Sequence, residues 1–223
     1  MFFIAAITAI YLINSCINHS RFRGGILFST GIIGVPVHEI SHYLFAKLLG
    51  FKVLEVRLFQ MPSHANTTMG YVSFTRSKSI VGAVFHVLVS IAPLIIGSFC
   101  LYLGAQLPHI QSLIAELLRS SLLDYPKTLY LFITQANYLQ LLSLFILASI
   151  TIHMLPSWVD IKGALEGSVY ISLFAYAMLT IGLVYSVQLW EVIDHGLHAL
   201  GLLMMIGVIL ASPIALFALL TKR

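Results

Sequence analysis

The feature that most constrains this chain is a succession of apolar runs, each near the length that crosses a bilayer. About 20 predominantly apolar helical residues span the hydrocarbon core. Runs of that kind fall near residues 2–17, 24–50, 80–105, 129–155, 163–186 and 197–220. Only 9% of the residues are charged, against about 25% in a soluble domain. The pattern predicts an all-α polytopic membrane protein of about six transmembrane helices, forming one integral membrane domain over residues 1–223 and ending in a helical part over 187–223. A separate soluble domain has no room. The modest, scattered excess of Lys and Arg speaks to topology, with no nucleic-acid partner indicated.

The first run has no basic segment before it, and Asn14-Ser15-Cys16 makes a poor cleavage site, so it reads as a retained helix. Cys16 and Cys100 lie in or beside apolar runs and read as buried free thiols. Cations favour the cytoplasmic side. Placing residues 50–79 there gathers Lys52, Arg57, Arg76, Lys78, Lys162, Lys222 and Arg223, with Arg21, Arg23, Arg119 and Lys127 opposite. Both termini are then expected to be cytoplasmic.

Residues 51–79 do not read as a helix. Val53-Leu54-Glu55-Val56-Arg57-Leu58 alternates in part, as a half-buried strand does, and Gly70-Tyr71-Val72-Ser73-Phe74-Thr75 reads as a second strand. Pro62, Ser63 and Asn66 mark a turn between them, giving a short membrane-associated β-hairpin after the second helix. Its unpaired edge can accept an extended peptide by strand addition, or the hairpin is an ordinary interfacial loop; pattern alone leaves both open. Farther on, Ile110, Leu113, Ile114, Leu117 and Leu118 recur at helical spacing within residues 108–126. That amphipathic segment is expected along the outer membrane surface.

The chemistry centres on His38-Glu39-Ile40-Ser41-His42. On a helix, His38 and His42 share one face, about 6 Å of rise apart, a separation at which two imidazoles can bind one zinc ion. Glu39 beside them can accept a proton from an activated water. The flanking residues 26–37 and 43–49 are almost wholly apolar, which sets hydrolytic chemistry within a bilayer.

A catalytic zinc site usually needs a third protein ligand, and carboxylates within membrane spans are few because they are costly. Asp160, bracketed by Pro156 and Gly163, stands where the backbone is expected to break between two helices. Irregular backbone at membrane depth has to line protein or a water-filled cavity. Asp160 either binds metal there or caps the next helix; beside a His-Glu-x-x-His element we read it as a ligand.

His153 and His86 read as interior histidines with hydrogen-bond partners, and His64 as a turn residue. His195 and His198, near Glu191 and Asp194, read as a solvated helix end. Asn137, in Thr134-Gln135-Ala136-Asn137-Tyr138, is a candidate to bond a neighbouring helix or a substrate backbone.

These residues together resemble the site-2 protease family of intramembrane zinc metalloproteases. The likeness rests on His38-Glu39-x-x-His42 running on through Tyr43-Leu44-Phe45-Ala46-Lys47-Leu48-Leu49-Gly50-Phe51-Lys52-Val53. It is supported by Met69-Gly70-Tyr71-Val72 in the hairpin and by an Asp near a Pro and a Gly after a third span. It covers residues 24–167, about two thirds of the chain. Members typically carry Asn-Pro-x-Pro-x-x-Leu-Asp-Gly; this chain has Leu155-Pro156-Ser157-Trp158-Val159-Asp160-Ile161-Lys162-Gly163, which looks like a small, divergent bacterial branch.

The resemblance implies that His38, His42 and Asp160 bind Zn2+ and that Glu39 is the general base. Gly70, Tyr71 and Val72 would lie in a strand that clamps an unwound transmembrane or membrane-associated protein substrate; Asn137 is a candidate substrate contact from its own polar cluster alone. The implied setting is the bilayer of a bacterial cytoplasmic membrane. Two other readings compete. In a different membrane metalloprotease class the third ligand is a distal Glu, which would cast Glu166 or Glu191 in that part. A non-proteolytic zinc protein, either a degenerate scaffold or a metal transporter, is the other. Iron or cobalt would also suit the ligand set.

Overall fold

A computed structural model describes residues 2–62, 68–75, 79–121, 124–180 and 187–222. The expected turn residues Ser63, His64 and Asn66 lie outside the described residues, as do Arg76 and Lys78. In chain order the elements are α1 (Phe2–His19), α2 (Arg23–Leu48), β1 (Val53–Arg57), β2 (Tyr71–Phe74), α3 (Ile80–Ala105), α4 (Pro108–Arg119), α5 (Tyr125–Gln135), α6 (Tyr138–His153), α7 (Trp158–Thr180) and α8 (Val187–Leu220). The chain is predominantly helical with one small antiparallel sheet. Among the described residues three helices are long and apolar enough to cross a membrane: Phe2–His19, Ile80–Ala105 and Glu191–Leu220. A fourth candidate is the pair α6 and α7, bent by 54° at the break between them. These are the helices of a membrane protein.

Several boundaries differ from the expected apolar runs because local capping ends helices where hydropathy does not change. The run over 129–155 is two helices. Asn137 starts α6 with a capping box, its side chain accepting from the Gln140 N–H at 3.0 Å while the Gln140 side chain accepts from the Asn137 N–H at 2.9 Å. The run over 163–186 starts earlier, at Trp158, and that over 197–220 starts at Val187. Gly163 does not flank the break; it lies inside α7 beneath the His86 ring, where a Cβ would come within 2.8 Å of Cε1.

The α6–α7 pair follows a single path along α3. Residues Gly104, Gly97, His86 and Ala83 of α3 meet Leu147, Met154, Gly163 and Gly167 in turn, so α6 and α7 run antiparallel to α3 one after the other. Two of the expected spans therefore form one bent segment.

Helices α1 and α8 run parallel. At one end Phe2 stacks edge-on with His198, ring centroids 5.0 Å apart, and Gly201 abuts the backbone of Phe2 and Phe3. At the other end the Ser20 and Thr221 hydroxyls are 2.7 Å apart, and Arg21 N–H donates to the Thr221 carbonyl at 2.9 Å. Ser20 and Lys222 form a β-bridge there. Phe2 and Lys222 thus lie on opposite sides of any membrane that both helices cross, which corrects the expectation of two cytoplasmic termini. The cation count failed because it set Lys222 across from Arg21, whereas the bridge puts them together. Of the six expected spans, the described residues supply three membrane-length apolar helices, or four spans if the bent pair counts as one.

The core is built around α1, α3, α6 and α8, with Ala6, Ile10, Leu101, Leu147, Met204 and Leu210 in one buried cluster. The amphipathic α4 inserts Ile110, Leu113 and Leu117 into it and leaves Leu118 exposed. At the other end of α2, Gly50 adopts φ +80°. Its N–H reaches the Lys47 carbonyl at 3.2 Å and the Phe51 N–H reaches the Ala46 carbonyl at 2.9 Å. This Schellman motif ends the helix and folds Phe51 back on Ala46 and Val89. It turns the chain into β1, which pairs with β2 through Val53/Phe74, Glu55/Ser73, Val56/Val72 and Arg57/Tyr71.

Candidate metal and catalytic site

His38, Glu39 and His42 occupy consecutive turns of α2, and Asp160 comes to them from the first turn of α7. Nε2 of His38 and Nε2 of His42 are 3.0 Å apart. Asp160 Oδ1 is 3.2 Å from His42 Nε2 and Oδ2 is 3.6 Å from His38 Nε2. Tetrahedral zinc with bonds of about 2.0–2.1 Å sets ligand atoms roughly 3.3 Å apart, so the three side chains fit.

Hydrogen bonding on the far side of each ring strengthens the fit. His38 Nδ1 lies 2.7 Å from the His153 carbonyl and His42 Nδ1 lies 2.8 Å from the Val89 carbonyl. A carbonyl can only accept, so both Nδ1 atoms carry a proton, and in the neutral rings both Nε2 atoms present lone pairs. Two lone pairs and a carboxylate then converge within about 3.6 Å. Such a set of acceptors requires a cation among them, either extra protons or a metal ion.

Asp160 caps α7 and at the same time faces the two histidines, so the two roles that the sequence offers it are compatible. Ser157 precedes α7, and its carbonyl accepts from the Ile161 N–H at 3.0 Å, the first bond of the helix. Asp160 Oδ2 accepts from the Ser157 N–H at 2.7 Å and from the Ser157 hydroxyl at 2.6 Å, while Ser157 Oγ accepts from the Asp160 N–H at 3.3 Å. This is a capping box with Asp160 as its acidic partner, and it leaves Oδ1 turned to His42.

Glu39 is buried and borders the same cavity, of about 930 Å³, which His38, His42, Asp160 and residues Met69, Gly70, Tyr71 and Val72 also line. Gly70 packs directly against Glu39. A Cβ at Gly70 would stand 2.9 Å from Glu39 Cγ, 2.7 Å from Val35 Cγ1 and 3.0 Å from the Arg57 carbonyl oxygen. Only glycine allows the strand so near the carboxylate. Tyr71 lines the cavity too and donates its hydroxyl to Glu55, across the sheet and exposed. That bond, with the Arg57 Nε donor 3.0 Å from Glu55 Oε1, holds the Glu55 carboxyl below the usual carboxylate range.

Of the residues that the sequence marks out, His38, Glu39, His42, Asp160, Gly70, Tyr71 and Val72 all border this one cavity. The structure does not bring Asn137 to it: that side chain is exposed and committed to capping α6. Among the described residues, the group of His, Cys, Asp and Glu side chains close enough to share an ion is His38, His42 and Asp160, without Glu166 or Glu191. His195 Nδ1 bonds the Glu191 carbonyl at 2.6 Å in an exposed part of α8.

The carbonyls of His153 and Val89 escape sequence reasoning because they are backbone groups with no residue signature. Ser157 was legible as the first residue of a Ser-x-x-Asp pattern. Comparison with family models, curated proteins and solved structures finds no match to this chain.

Proposed function

We propose that this chain is an intramembrane zinc metalloprotease that hydrolyses peptide bonds of transmembrane or membrane-associated proteins, in the manner of the site-2 proteases it resembles. The observation that supports this reading most is the convergence of two Nδ1-anchored histidines and a capped carboxylate on one point, with a buried glutamate on the same cavity. A structural metal site has no use for that glutamate.

His38, His42 and Asp160 would hold the ion, which when bound supplies Lewis acidity and brings water near enough to neutrality to lose a proton. Glu39 would be the group that accepts a proton from the attacking water and returns one to the leaving amine. The apolar walls contributed by Val35, Ile152 and Leu155 limit bulk water around the reacting groups. Among the described residues, β2 is paired with β1 on one side only. Its other edge offers N–H and C=O groups to an extended segment. A substrate helix must unwind to use that edge, since the carbonyls of an intact helix are already bonded along its axis.

The test is cleavage of transmembrane peptides by the purified chain in lipid vesicles. Cleavage that a zinc chelator stops and added zinc restores is expected. Chelator-insensitive cleavage, or tight zinc binding with no cleavage of any membrane peptide tried, would overturn the reading.

A further inference from the structure

We propose that the His153 side chain is a positioning residue: it latches the end of α6 onto α2 and so aims the carbonyl that sets the orientation of His38. The proposal rests on the metal reading above only for what His38 does, not for the latch itself.

His153 is the last residue of α6, so its carbonyl has no partner within the helix. That carbonyl accepts from His38 Nδ1 at 2.7 Å. The ring of the same residue turns the other way, to Thr30, two turns before His38 on α2. Thr30 is buried and its hydroxyl donates to the Ile26 carbonyl at 2.8 Å. The single hydroxyl proton is thereby used, and Thr30 Oγ1 accepts from His153 Nε2 at 3.0 Å. Between these two contacts the ring rests on Gly34, where a Cβ would stand 2.6 Å from His153 Cδ2 and 2.9 Å from its Cβ.

One residue therefore grips α2 at Thr30, Gly34 and His38. The chain breaks immediately afterwards and turns 54° into the helix that carries Asp160. Without the grip, Asn14 still bonds the Ile152 carbonyl and the α6 backbone still packs on Gly34, but the residue that carries the last carbonyl has lost its own side-chain hold on α2. His38 would then lose the acceptor that keeps its proton on Nδ1 and its Nε2 free. Outer partners of this kind typically alter metal affinity by about 10–100-fold.

The experiment uses the full chain in detergent, with Co2+ as the probe. Co2+ affinity is measured by chelator competition, the Co2+ visible spectrum is recorded, and the His38 tautomer is read in metal-free, 15N-histidine-labelled protein by NMR. The variants are His153→Ala, Thr30→Val and Thr30→Ser.

His153→Ala and Thr30→Val are expected to weaken Co2+ by about 10–100-fold, shift the spectrum and lose the His38 Nδ1–H signal. Thr30→Ser, which keeps the hydroxyl, is expected to match wild type. If His153→Ala does not fold, the Thr30 pair decides alone. Wild-type affinity and tautomer in Thr30→Val and His153→Ala would overturn the latch. A wild type that binds no Co2+, yet shows a His38 tautomer dependent on His153, would overturn the metal reading and leave the latch standing.

Discussion

Ser157 and Asp160 hold each other across the first turn of α7: the serine N–H and hydroxyl both reach Asp160 Oδ2, at 2.7 and 2.6 Å, and the aspartate N–H returns to Ser157 Oγ at 3.3 Å. The cap thereby fixes the other oxygen, Oδ1, 3.2 Å from His42 Nε2, where a ligand to a shared ion would stand. Ser157→Ala should cost about 1 kcal/mol of helix stability and lower zinc affinity by about tenfold or more. Ser157→Thr should keep both. Chelator competition on the two variants checks this, and equal affinity in Ser157→Ala and wild type would refute it.

Gly70→Ala should lower cleavage by about 100-fold, the scale of a misplacement near 1 Å, with zinc content unchanged. The added Cβ meets Glu39 Cγ and Val35 Cγ1 at under 3 Å, so either the strand or the glutamate must move. Zinc stoichiometry measured beside the cleavage rate separates this from a loss of folding.

Glu39→Gln should retain zinc and abolish cleavage, because the amide keeps the shape of the side chain and cannot accept the proton. A variant with full activity would remove Glu39 from the mechanism.

The exposed Glu55 carboxyl is held low by donors from Tyr71 and Arg57. A lowered folded-state value contributes stability above the unfolded value and loses it as pH falls through the folded value. The hairpin should therefore loosen on acidification, and Tyr71→Phe should blunt that dependence. Hydrogen exchange of the Glu55 and Val72 amides across acid pH reads both.

Much of this site was legible in the residues themselves. The spacing of His38 and His42 needs only a helix, and Asp160 stood out because a carboxylate beside Pro156 in an apolar stretch demands a partner. The hairpin followed from alternation at Val53–Arg57 and Tyr71–Phe74. Helix boundaries were less legible: Asn137 and Ser157 start helices through side-chain caps that hydropathy does not register. Chain direction is not legible from cations, because their count assigns sides without knowing that Ser20 and Lys222 pair. The two carbonyls behind the histidines are invisible in any sequence, since every residue has one.

The most direct measurement is metal content by elemental analysis of detergent-purified wild type beside His38→Ala and Asp160→Ala, prepared without chelators. One zinc per chain in wild type, lost in both variants, is the expected result. No zinc in wild type, or a full complement in Asp160→Ala, would contradict a catalytic centre formed by His38, His42 and Asp160.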